Sequence, residues 1–147
     1  MKILNLPKID YKIRKKDDHL EIFDIIRKKY IVLTPEEWVR QHFIHFLIIH
    51  LNYPKSLFKV ESGLSYNKLH KRSDILIYNR SMEPYMLVEC KSFDVSMSQK
   101  GFNQLAIYNS QINAKYLVLT NGMKHYCCTY KADSRDFQFL NEIPGFN

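Results

Sequence analysis

The tetrapeptide Thr34-Pro35-Glu36-Glu37 constrains the fold more than any other stretch of the chain. A threonine side chain accepts from first-turn amides, a proline at the first helical position is preset for the helix and has no N–H to leave unpaired, and a glutamate three residues on completes a capping box. A helix is therefore expected to start here, and Val39, Phe43, Phe46, Leu47 and His50 recur behind it at helical spacing. Its expected span is 35–51, ended by Asn52 and Pro54. Three short runs rich in Val, Ile, Leu and Tyr follow at 57–61, 72–78 and 85–91, each bounded by polar turns and each read as a strand. A second helix fits about 97–112, with Phe102, Leu105, Ala106 and Tyr108/Asn109 inward. Residues 116–120 and 125–130 then flank Asn121-Gly122, a hairpin dipeptide in which both residues accept positive φ. Phe137 and Phe139 alternate as a last strand. Ahead of the first helix, Tyr11-x-Ile13 and Leu20-x-Ile22 alternate around the polar Lys15-Lys16-Asp17-Asp18 as a peripheral hairpin, with a helix over 19–30 as the competing reading.

This order of hairpin, helix, three strands, helix and two strands predicts an α/β (α+β) fold: a central mixed sheet of four to five strands flanked by helices. At 147 residues, with no linker or repeat, the chain reads as one domain: a hairpin extension over 1–33, a core over 34–130 and a tail over 131–147. Only four glycines occur, which excludes both the dinucleotide-binding G-x-G-x-x-G and the ATP-binding P-loop. The formal charge of +7 suggests a polyanionic partner. Residues 1–30 hold nine Lys/Arg against five Asp/Glu, so most of the excess lies ahead of the expected core. Three cysteines without a C-x-x-C suggest neither a disulfide framework nor a zinc knuckle. No apolar run approaches membrane-spanning length and no apolar leader follows Met1-Lys2, so the expected location is the cytoplasm, with no membrane partner.

The third expected strand breaks hydrophobic logic at its end. Met86 and Val88 alternate with Leu87, Glu89 and Lys91, so Glu89 and Lys91 leave one face while Cys90 turns to the other, into the core. On the preceding strand Asp74 shares a face with Leu76 and Tyr78. Antiparallel pairing through the turn at 79–84 would bring Asp74 and Glu89 to the same sheet end. Two carboxylates this close repel unless they share a cation, and hard oxygen ligands favour Mg2+ or Mn2+. An adjacent lysine can orient water or stabilise charge on a transferring phosphoryl group, so the set suits phosphodiester hydrolysis. A plain solvated pair at a strand end is the competing reading, and Asp10-Tyr11-Lys12 shows that acid-x-Lys spacing also arises by coincidence.

Asp74, followed after fourteen residues by Glu89-Cys90-Lys91, resembles the signature of the PD-(D/E)XK nuclease superfamily, with Ser73 where the name-giving proline would stand. The stretches 33–41, Lys71-Arg72-Ser73-Asp74, Val88-Glu89-Cys90-Lys91 and Leu119-Thr120-Asn121-Gly122 are similar to small proteins related to the N-terminal nuclease domain of type I restriction endonuclease R subunits, over roughly 10–145. The resemblance implies a restriction-endonuclease-like core and a Mg2+- or Mn2+-dependent DNA endonuclease. In it Asp74, Glu89 and the backbone carbonyl of Cys90 ligate the metal, and Lys91 is the catalytic amine. It further implies Gln104 and Tyr108 as a Gln-x-x-x-Tyr pair facing DNA, and a first-helix glutamate, Glu37 or failing that Glu36, as an added ligand. Glu36 and Glu37 already serve as first-turn acids, and Tyr108 equally suits a core. Lys71 and Arg72 are candidate phosphate contacts. His42 and His45, lacking a third ligand, read as polar-face histidines rather than a zinc site. The partners implied are DNA, a separate ATP-dependent translocase or methylation and specificity subunits, and a second copy if both strands are cut. The alternative is a non-cleaving nucleic-acid-binding or partner-binding module that keeps the nuclease fold.

Overall fold

The computed structural model describes residues 1–60, 65–66, 69–70, 74–130 and 136–147, and of residues 65, 66, 69, 70 and 74 the backbone alone. Three strands, β1 (Ile13–Lys16), β2 (His19–Asp24) and β3 (Lys29–Val32), form an antiparallel meander. Helix α1 (Pro35–Ile49) follows, then β4 (Phe58–Val60), a small hairpin of β5 (Ser65–Tyr66) and β6 (Leu69–His70), β7 (Asp74–Tyr78) and β8 (Pro84–Cys90). Helix α2 (Gln99–Ile112) leads to β9 (Tyr116–Thr120), β10 (His125–Tyr130) and β11 (Phe137–Leu140). Among the described residues no helix is long and apolar enough to cross a membrane.

Helix α1 begins where its cap dictates: Thr34 is extended and its Oγ1 accepts from the Glu37 amide at 3.0 Å. It ends at Ile49, slightly short of the expected span, and Asn52 turns the chain with a φ of 63°. The main sheet has six strands in the order β11-β10-β9-β8-β7-β4, one more than the upper expectation, because short strands pair at both edges. Among the described strands only β8 and β9 pair in parallel, and the connection between them carries α2.

Strand alternation sorts the sheet into two apolar faces. Ile75, Ile77, Met86, Val88, Cys90, Val118 and Cys127 pack with Val39, Phe43, Ile44 and Leu47 of α1. Leu76, Leu87, Leu117, Leu119 and Cys128 pack with Phe102, Leu105, Tyr108 and Ile112 of α2. Each fully buried aliphatic side chain contributes about 1.5–3 kcal/mol, so the two helix-facing layers carry most of the stabilisation.

The meander differs most from expectation. It has a third strand, and together with the segment ahead of it covers α1: Ile22 of β2 is buried in the same cluster, Tyr11 meets Trp38 edge-on at 5.1 Å, and the Trp38 indole N–H donates to the Lys2 carbonyl at 2.8 Å. Helix α1 is thus enclosed on nearly every side. That corrects the polar-face reading of His42 and His45, both of which are only 7% exposed. His42 Nδ1 lies 2.8 Å from the Trp38 carbonyl, and burial holds both imidazoles below their ordinary pKa. A second correction concerns the β9–β10 turn. Gly122 has a φ of 84° as expected, but Asn121 does not take positive φ. Its Oδ1 instead accepts from the Met123 and Lys124 amides, both at 2.9 Å, so the turn is built on the side chain.

Candidate active site

Strand register sets out two rows of residues across the sheet. The inner row, Leu76, Leu87, Leu117, Cys128 and Phe139, is apolar. The next row toward the sheet end reads Asp74, Glu89, Leu119 and Tyr126, each the direct partner of its neighbour across β7, β8, β9 and β10. The expected juxtaposition of Asp74 and Glu89 is therefore a direct backbone pairing.

Glu89 is 1% exposed. A carboxylate so deeply buried requires charge compensation, and Lys91 supplies part of it: its Nζ lies 3.2 Å from Glu89 Oε2. Lys91 itself is a third exposed, so its amine bridges the interior and the surface. The Lys91 amide donates to the Thr120 carbonyl at 2.8 Å, which fixes the backbone just past the strand. The Cys90 side chain is fully buried on the α1 face, leaving only its backbone on the side of this site.

Lys91 opens onto a cavity of about 320 Å³ whose walls include Ser98, Lys100, Gly101, Gln104 and Leu119. Ser98 caps α2, accepting from the Gly101 amide at 3.1 Å, and the first turn of the helix carries no acid. A positive helix end beside two lysines favours an anion. Gln104 is exposed and shares this cavity with Lys91, whereas Tyr108, one turn on, is 2% exposed and belongs to the α2-facing core. Lys71 and Arg72 lie outside the described residues.

Glu37 rises from the helix on the other face of the sheet, and its carboxylate is engaged there. It pairs with Arg40, accepts from Gln41 Nε2 at 2.9 Å and meets Arg27 at 3.4 Å. Glu36 is more exposed and pairs with Arg40 at 3.1 Å. The network extends to Asp24, whose Oδ1 accepts from the Ile26 and Arg27 amides and whose Oδ2 accepts from Arg27 Nε at 2.8 Å and Gln41 Nε2 at 2.9 Å. These bonds to Arg27 and Gln41 outweigh burial and hold the Asp24 carboxyl below its usual range. Sequence reasoning missed this cluster. Its traces were the i,i+3 pair Asp24 and Arg27 and the polar run Arg40-Gln41 on an otherwise apolar helix.

No curated protein and no solved structure matches the chain. The family described as type I restriction enzyme R protein N terminus (HSDR_N) matches residues 35–144, about three-quarters of the length. The match runs from the start of α1 to just beyond β11 and so contains Asp74, Glu89, Lys91 and the cavity beside them. By that match, the chain belongs to the family of type I restriction enzyme R protein N-terminal domains.

Proposed function

We propose that the domain is a Mg2+- or Mn2+-dependent DNA endonuclease of the PD-(D/E)XK type, acting in a restriction system alongside other subunits. The observation that carries the reading is the direct register of Asp74 with Glu89, joined to a Glu89–Lys91 contact of 3.2 Å at a cavity mouth. The donor set fits a hard divalent cation: the carboxylates at positions 74 and 89 and the Cys90 carbonyl are all oxygen ligands. A cation here would rest on that set. Glu37 is held by Arg27, Arg40 and Gln41, and we assign it to supporting α1 rather than to the metal. When bound, the cation would neutralise the scissile phosphate and lower the pKa of an attacking water.

The remaining work falls to the chain's own groups. Lys91 offsets the buried Glu89 charge and presents its amine to the cavity, where it can hold a water or a phosphate oxygen. Lys100 and the α2 N-terminus draw the phosphate in, and Gln104 offers an amide to the same space. Incubation of the purified chain with supercoiled plasmid and Mg2+ or Mn2+ should give nicked product. EDTA and Lys91→Ala should each abolish it, and cleavage that survives both refutes the mechanism. Metal titration should show saturable binding for wild type that Asp74→Ala and Glu89→Ala each weaken; unchanged titrations would remove those residues from the metal site.

A further inference from the structure

The row that holds Asp74 and Glu89 does not stop at the reactive end. Two strands further on it reaches Tyr126, at a separation from Glu89 of about 10 Å by strand spacing. Tyr126 is 44% exposed, and Phe139, its diagonal neighbour from the inner row, is 55% exposed. The two rings line a cavity of about 430 Å³ whose floor is Phe102, with the Phe102 and Phe139 rings 5.2 Å apart. This cavity shares Met97, Ser98 and Leu119 with the one at Lys91, so the two are adjoining compartments of one surface. A third depression, holding Lys124, shares Tyr126 and Met97 with the aromatic cavity. Among the described residues of the three linings the charged groups are Lys91, which also pairs with Glu89, Lys100 and Lys124, with Asp94 as the acid.

Two exposed aromatic rings on the wall of one cavity offer a contiguous apolar surface of the kind that marks a ligand site. Flat rings beside a lysine-rimmed track, in the register row of a phosphodiester-cutting site, match the chemistry of an unpaired nucleotide: bases stack on the rings while phosphates follow the cations. A neutral peptide would gain nothing from the lysines, whereas a nucleotide uses the rings and the cations together. We infer that Tyr126 and Phe139, seated over the buried Phe102, form a base-stacking cleft, and that the preferred substrate is DNA unpaired next to the cut: a single strand, a flap or a frayed end rather than an intact duplex. The inference rests on the nuclease reading for the position of the cut, but the cleft itself requires neither metal nor cleavage.

Binding measured in EDTA therefore separates the two. The probe is a fluorescein-labelled oligodeoxythymidylate of about a dozen nucleotides, compared by anisotropy with a hairpin duplex of similar length. Wild type should favour the single strand, and Tyr126→Ala with Phe139→Ala should weaken that binding at least about five-fold while changing duplex binding less than about two-fold. Phe139→Leu keeps apolar area but not the flat ring, so it should also weaken single-strand binding; Tyr126→Phe keeps the ring and should bind like wild type. Circular dichroism checks folding, and the Leu and Phe variants carry the test if the double variant fails to fold. Wild type that prefers duplex, or ring variants that bind the single strand like wild type, overturns the cleft. So does gel filtration showing a dimer that the ring variants convert to monomer, because the rings would then be covered by a second copy. Single-strand binding that needs the rings without any metal-dependent cutting refutes the nuclease reading and leaves the cleft standing.

Discussion

Replacing Gln41 with glutamate is nearly isosteric, yet it reverses the hydrogen-bonding logic of the buried network under α1. The Gln41 amide nitrogen donates to Asp24 Oδ2 and Glu37 Oε2, each at 2.9 Å, and the side chain is fully buried. An ionised glutamate there would face two carboxylates at that distance, a repulsion of about 6 kcal/mol each at an effective dielectric of 20, only partly offset by Arg27 and Arg40. The cheaper course is for the cluster to take up one proton. Measured from an unfolded glutamate pKa of about 4.3, holding that proton at pH 7 costs 1.36 × 2.7, about 4 kcal/mol, with about 1 kcal/mol more for the lost donor. The sign follows from a folded pKa raised above the unfolded one. For a carboxyl this penalty is absent below the unfolded pKa and grows with pH. Urea unfolding of Gln41→Glu and wild type, compared at each pH, should differ by about 5 kcal/mol at pH 7 and only about 1 kcal/mol near pH 4.5. Asp24, whose depressed carboxyl contributes stability that is lost as pH falls below its ordinary value, forfeits its Gln41 bond in the variant, so its own loss is greatest at pH 7 and fades toward acid in the same direction as the glutamate penalty. A penalty of equal size at both pH values, or none at pH 7, refutes the bridging role of Gln41.

Two further outcomes test the packing. Gly122 has a φ of 84°, and a β-carbon there would lie 2.9 Å from Leu4 Cδ2 and 3.1 Å from Val39 Cγ2; Gly122→Ala should cost about 1–3 kcal/mol and lower the melting temperature by about 3–10 °C, and an unchanged melt contradicts that close approach. Cys90, Cys127 and Cys128 are all buried, and burial pushes the Cys127 and Cys128 thiols up to about 12; at pH 8 their thiolate form is negligible, so a thiol reagent should label the native protein slowly and the urea-unfolded protein at all three positions. Rapid native labelling would refute the burial.

The elements whose signals are local were legible in the chain. The Thr34 cap, the period of α1 and the alternation of β7 to β10 each depend on a few neighbouring residues, and the structure reproduces them. The Asp74–Glu89 register followed from one short turn between alternating strands. What escaped depends on residues distant in sequence. His42 and His45 sit on a helix whose apolar stripe suggests one wet side, and only the meander's return over that side shows they are enclosed. Strand β3 is four residues long and opens on a lysine, too little alternation to distinguish it from a helix end. Tyr126 and Phe139 gave ordinary strand signals; their meaning came from the row that links them to Glu89 across the sheet.

The enclosure of α1 has a consequence for modularity. The family match begins at Pro35, whereas the carboxylate of Asp24 and the side chain of Ile22 reach the helix from ahead of that boundary. A fragment cut at the boundary would lose both Asp24 and Arg27, taking a partner each from Gln41 and Glu37, and would bare Trp38 and the histidines to solvent. Meander, helix and sheet are thus expected to open together in hydrogen exchange as one cooperative unit. Grafting the domain onto another protein therefore requires carrying the first thirty-odd residues as part of its hydrophobic interior, not as a trimmable leader.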